Sequence, residues 1–269
     1  MDRMLTGLDH VRLAVPSLAA AASACRELGF TVTAEREDDQ GTPSQSLMFT
    51  HDHIELVQAA PSSEAEPNLA ALAVGTRNAG ATASAWRRSG LFTTPKTASE
   101  RTLDGQPDTI TSLEVSPTPH EIAGLPILAA AHLTPESLRQ PDWLRHPNTA
   151  TRLATVTVVV ADPAACATAL DKLFGTAALT WTDRILTVRL GHVAVVLLEP
   201  DDLDLLHSGA ASPDTNPAIV ALGFHVGDLA RTARTLTANA KPFSTRPDGS
   251  LGIDLDQRIG CLVEFRGER

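Results

Sequence analysis

The chain of 269 residues contains no tyrosine, and only 4% of it is aromatic. No site in it can therefore use a phenol, and Ala, Val and Leu must do most of the packing. Cysteine is scarce as well: Cys25, Cys166 and Cys261 are odd in number and lack CxxC spacing. Such a set argues for a reducing compartment, with Cys25 and Cys166 as small apolar helix residues. Basic runs are missing and the net charge is −10, so no nucleic-acid partner is expected. No apolar run reaches the length of a membrane span, and the N-terminus lacks the apolar stretch of a secretory signal. The expectation is a cytoplasmic protein with no membrane role. A hydrophobic content of 43% suffices for a well-filled core, in one large domain or two medium ones.

Two short stretches carry chemistry. From Leu8 to Val15, and again from His53 to Val57, bulky apolar residues alternate with polar or small ones, the period of a half-buried strand. Val11, Leu13, Val15, Ile54 and Leu56 would face a core. His10, Arg12, His53 and Glu55 would face the other way. If the strands share a sheet, an imidazole and a carboxylate stand on one face, which is half of a metal site.

The chain also repeats loosely, four times. The first unit reads strand (to Val15), helix (Ser17–Gly29) and three strands (Phe30–Arg36, Ser44–Phe49, His53–Gln58). The second has a strand near Asn68–Val74, a helix at Ala79–Ser89, and strands near Thr109–Val115 and Leu125–His132, with a Pro- and Thr-rich loop between the last two. The third has strands at Arg152–Ala161, Ala178–Thr182, Arg184–Leu190 and His192–Glu199, with a helix from Asp162-Pro163 to Gly175. The fourth has Pro217–Val226, a helix at Leu229–Ala240, and strands near Lys241–Thr245, Gly252–Asp256 and Cys261–Phe265. Val15-Pro16-Ser17-Leu18 and Val226-Gly227-Asp228-Leu229 are the same strand-to-helix turn, and Glu55 and Glu264 hold matching last-strand positions. The reading divides the chain into 1–133, a proline-rich linker at 134–150 carrying a short helix, and 151–269.

Four βαβββ units in two pairs resemble the vicinal-oxygen-chelate superfamily of glyoxalase I, extradiol dioxygenases, and fosfomycin- and bleomycin-resistance proteins. The opening Leu8 to Val15 with Ile54 to Val57 is similar to that superfamily's first unit. His132 to Glu136, Pro141 to Asn148 and Gly260 to Phe265 look like its glyoxalase-like-domain group. The resemblance implies an α+β fold in which four βαβββ modules pair into two cup-shaped half-barrels. It also implies metal ligands on the first and last strands of the modules. Carried over, these are His10, Glu55 and, since Ala71 replaces a second histidine, His132. Two imidazoles and one carboxylate suit Fe, and are compatible with Mn, Ni, Co or Zn.

Several assignments stay open. Glu55 serves as ligand or general base, or only pairs with Arg12 across the sheet. His53 is an acid–base candidate and could replace His132 as a ligand. Arg12 and His225 are substrate-binding candidates, Arg12 through a bidentate grip on a carboxylate or phenolate. His225 and Glu264 could equally be a satisfied polar pair. His51 reads as a turn residue, His146 as a turn cap or pocket rim, and Trp181 as core or as a stacking wall. The expected function is a divalent-metal-dependent lyase or isomerase acting on a small oxygenated substrate in the N-terminal cup. One alternative is a metal-free binding protein of the antibiotic-resistance type. Another is a ring-cleaving dioxygenase, disfavoured because such members usually use a tyrosine. A monomer is feasible, and a homodimer is the other expectation.

Overall fold

Four helix caps of one kind mark out four modules. Ser17, Asn78, Asp162 and Asp228 each sit on extended backbone and accept an amide of the following turn through a side-chain oxygen. Such caps start a helix at a fixed residue and are worth about 1 kcal/mol apiece. The computed structural model describes residues 4–60, 67–95, 97–103, 109–208, 210 and 212–268. The first module runs β1 (Leu5–Val15), α1 (Leu18–Glu27), β2 (Arg36–Asp38), β3 (Pro43–Met48) and β4 (His53–Gln58). The second runs β5 (Asn68–Thr76), α2 (Ala79–Arg88), β6 (Thr97–Leu103), β7 (Thr109–Val115) and β8 (Ile127–His132). A short helix, α3 (Pro135–Leu138), lies in the joining segment. The third module runs β9 (Ala150–Val159), α4 (Pro163–Phe174), β10 (Leu179–Thr182), β11 (Ile185–Leu190) and β12 (Val193–Leu198). After a one-turn helix, α5 (Leu203–Leu206), the fourth runs β13 (Ala218–Val226), α6 (Leu229–Ala238), β14 (Ser244–Thr245), β15 (Leu251–Asp256) and β16 (Cys261–Gly267).

The α+β architecture of paired βαβββ modules is the one expected, and the two pairs differ in closure. In the first pair the order β1-β4-β3-β2-β6-β7-β8-β5 closes on itself. Two contacts join its modules: β1 against β5, and the short β2 against β6. In the second pair the order β10-β11-β12-β9-β13-β16-β15-β14 leaves an open sheet. Its edge strands, β10 and β14, span only four and two residues.

Two element expectations need correction. Strand β6 was not expected, because Thr-Ala-Ser-Glu-Arg-Thr-Leu carries no apolar alternation. The expected strand Phe30–Arg36 shrinks to Arg36–Asp38. Ahead of it the chain still follows β3, but the Thr33 hydroxyl accepts the Ser46 amide at 2.9 Å in place of a backbone carbonyl.

The halves share one continuous apolar core. Phe30 and Phe49 from the first half meet Phe224 and Phe265 from the second, with ring centroids 4.9–5.6 Å apart. Gly7 has φ +125°, and a Cβ there would stand 3.2 Å from the Leu190 carbonyl and 3.3 Å from Gly191, so this approach of the halves requires glycine. Asp52, fully buried, accepts the Leu153 amide at 3.1 Å and the His192 Nε2–H at 2.6 Å. Trp86 is buried, whereas Trp181, read as core or as a stacking wall, is 46% exposed on the edge strand β10.

Candidate metal centre

The register of β1 on β4 sets the centre. The strands run parallel with His10 opposite His53 and Arg12 opposite Glu55. Leu8, Val11 and Leu13 enter the core, and His10 and Arg12 turn into the barrel. The second module contributes little chemistry at the equivalent places: Ala71, Ala73, Leu128 and Ala130 form a small apolar cluster instead. By the cap positions and the β5–β8 register, Leu128 is the counterpart of Glu55, and His132 stands four residues beyond it.

A β-bulge changes the composition of the site. The pairing of β1 with β5 slips between Leu8 and His10, so Asp9 is the extra residue. Asp9 is buried, and its Oδ2 accepts from His10 Nδ1 and from His132 Nε2, both at 2.8 Å. Its Oδ1 accepts from Arg139 at 3.3 Å. Burial alone would raise the Asp9 carboxyl, but the bonds from His10 and His132 hold it well below the usual range. Strict alternation puts Asp9 on the core side, so only the bulge could have revealed it. Arg139, in the joining segment, carried no sequence signal.

Asp9 accepts from His10 Nδ1, which leaves Nε2 as the ring nitrogen placed to bind an ion. That Nε2 is buried, has no hydrogen-bond partner and lies 3.9 Å from Glu55 Oε2. The two atoms face each other across a gap that a divalent ion with bonds of about 2.1 Å can bridge. His53 stacks on His10 with ring centroids 4.6 Å apart, and its Nδ1 is likewise buried without a partner. Burial, followed by the neighbouring His10, pushes the His53 imidazole well below its usual range, so it is neutral at neutral pH. Donor atoms of Asp9, His10 and His53 lie within 4.8 Å of one another. Within that trio the Asp9–His10 contact is already a hydrogen bond, so the free donors are His10 Nε2 and His53. The residues present fit a divalent ion.

Arg12 Nε donates to Glu55 at 2.6 Å and its NH2 to Glu114, on β7, at 3.2 Å. Burial opposes the guanidinium's charge, but the two carboxylates outweigh it and raise its pKa further. Of the site residues read from the sequence, the structure therefore brings together His10, Arg12, His53 and Glu55, and joins His132 to them through Asp9. His225 stands apart in the second sheet, paired across it with Arg266 and Arg152. Glu264 does not pair with His225. It meets His207, Arg246 and Arg266.

The sequence from residue 8 to 174, more than half of the chain, matches the glyoxalase-like domain family. The chain belongs to that family, and with it to the vicinal-oxygen-chelate superfamily. Among curated proteins none matches the sequence. Solved structures share the fold at low identity. A hypothetical protein from Staphylococcus aureus superposes with a TM-score of 0.70 at 9% identity, covering 97% of this chain and 99% of that one. The Mn(II)-bound glyoxalase from Novosphingobium aromaticivorans gives 0.61 at 10%, covering 98% and 83%. Homoprotocatechuate 2,3-dioxygenase from Arthrobacter globiformis gives 0.58 at 18%, covering 98% and 80%. No helix among the described residues is long and apolar enough to cross a membrane.

Proposed function

We propose that this protein is a divalent-metal-dependent enzyme acting on a small oxygenated substrate at the first barrel. The observation that carries the reading is the unpartnered, buried His10 Nε2 facing the Glu55 carboxylate at 3.9 Å. His10 and Glu55 would hold the ion, with His53 as third donor in preference to His132, which lies outside the group of donor atoms that His10 and His53 share. Asp9 orients His10 through the opposite ring nitrogen, as carboxylates commonly do behind metal-bound imidazoles. When bound, the ion supplies Lewis-acid stabilisation to neighbouring substrate oxygens.

The chain's own residues do the rest. Arg12, pinned between Glu55 and Glu114, fixes the direction of the Glu55 carboxylate. Neutral His53 keeps a lone pair available to the ion. The low-dielectric barrel strengthens each of these contacts. With no phenol in the chain, non-oxidative lyase or isomerase chemistry ranks ahead of ring cleavage. A metal-free binding role is the second reading, favoured by one observation: Arg12 already balances two carboxylates without an ion.

Elemental analysis of untagged protein separates them. About one transition metal per chain is expected, lost in both His10→Ala and His53→Ala. Asp9→Asn should weaken metal affinity about ten- to a hundredfold. Protein that stays metal-free after anaerobic reconstitution would remove the enzyme reading in favour of ligand binding.

A further inference from the structure

A cavity of about 290 Å³ lies at the end of the barrel from which the joining segment departs. Asp9, Thr50, His51 and Thr76 line it, together with His132 and Arg139. Arg139 directly follows α3 and returns over this mouth, where its NH2 makes two long contacts of 3.3 Å, to Asp9 Oδ1 and to the His51 carbonyl. Its Nε is buried and has no hydrogen-bond partner. Arg139 lines the cavity with a fifth of its side chain exposed, and the group that a guanidinium grips in two parallel bonds is a carboxylate. Asp9 does not grip it in that way, because Asp9 Oδ2 is taken by His10 and His132. The bonds from His10, His132 and Arg139 occupy both oxygens of Asp9, so an entering anion does not meet an unengaged carboxylate. The threonine hydroxyls can donate to further ligand oxygens.

We infer that this cavity binds a small carboxylic acid in its anionic form, with Arg139 as the anchoring residue. The inference deepens the reading of a metal centre and rests on it for the ligand's reacting end, because Asp9 is shared between the two: one oxygen holds Arg139, the other holds His10. For the anchor itself it rests on the cavity alone. The substrate class is then a small carboxylic acid, held at its carboxylate by Arg139 at the mouth of the barrel.

The test is isothermal titration with 2-hydroxyisobutyrate and with its neutral amide, on chelator-treated and on metal-loaded protein. The carboxylate is expected to bind both forms, and the amide at least about tenfold more weakly. Arg139→Gln should lose about ten- to a hundredfold in affinity for the carboxylate. Arg139→Lys should recover part of it, and exposed Arg231→Gln should change nothing. A thermal melt of each variant shows that the fold persists. Binding that ignores Arg139→Gln, or that fails to distinguish acid from amide, overturns the anchor while leaving the metal centre standing. Arg139-dependent binding in protein that never takes up metal keeps the anchor and rejects the centre. No binding of the carboxylate to either form overturns the inference.

Discussion

At the scale of single residues, the centre is a set of charges each held by a neighbour. Arg12 is the clearest case. It separates Glu55 from Glu114 in a setting where its own side chain is only 18% exposed. Arg12→Met would keep the volume and remove the charge. The expected cost is about 2–4 kcal/mol, somewhat under the range for a fully buried pair because Arg12 retains some solvent. A divalent ion should restore part of that loss, since it supplies positive charge to the same carboxylates. Melting with and without Mn(II) measures both effects, and a variant as stable as wild type would show that the ion pair carries no net stabilisation. Arg12 and Glu55 were legible as one face of two strands, and their pairing as one of the alternatives. Asp9 was not, because a bulge depends on how two strands meet and leaves no mark in the alternation of either.

At the scale of elements, the joining segment does more than connect. Trp143 lies under the Arg36 guanidinium at 4.7 Å, and Leu138, Trp143 and Leu144 pack on Met48 and Ile110. His146, read as a turn cap or pocket rim, is instead buried between elements. Its Nδ1 accepts the Thr31 amide at 3.0 Å, and its Nε2–H donates to the Met48 carbonyl at 2.9 Å. Burial pushes this imidazole down from 6.5 to about 4, against a smaller opposing effect of the Met48 carbonyl. The unfolded ring takes up its proton near pH 6.5 and the folded ring only near 4. Between those values the unfolded chain binds more protons, so stability falls as pH drops through the window and is unaffected above it. The loss should reach on the order of 3 kcal/mol by pH 4. His146→Gln, which can still donate and accept, should be less stable at pH 7 but lose less between pH 6.5 and 4. Parallel denaturation curves for the two proteins across that range would reject this assignment. The helices were readable because each announces itself with a cap, and β6 was not, because it forms through its pairing with β2 and β7 and not through an apolar face.

At the scale of the whole molecule, one core spans both halves, and a buried aspartate ties them together. Asp52→Ala leaves the Leu153 amide and His192 without their acceptor and should cost about 3 kcal/mol or more. Because the core is continuous, calorimetry should show one transition displaced to lower temperature. Two separate transitions would mean that the halves unfold independently and that Asp52 alone joins them. The four-unit rhythm was legible because caps and strand periods repeat. The contrast between a closed first pair and an open second pair was not, since it turns on whether short polar edge strands find each other.

The shared register of the modules has a consequence for how the molecule divides its labour. Seven residues ahead of its cap the first module carries His10 and the third carries Thr155. Across the parallel pair, Ala194 and Val196 of the third module occupy the places of His53 and Glu55. The fourth module keeps only the acid, as Glu264 opposite Gly223, and the second keeps none. The same backbone is written out four times, and the donor set is filled in once. The other copies are released to serve as wall, floor and buttress. A small number of side-chain changes on an unaltered chain path therefore separates a reactive cup from an inert one.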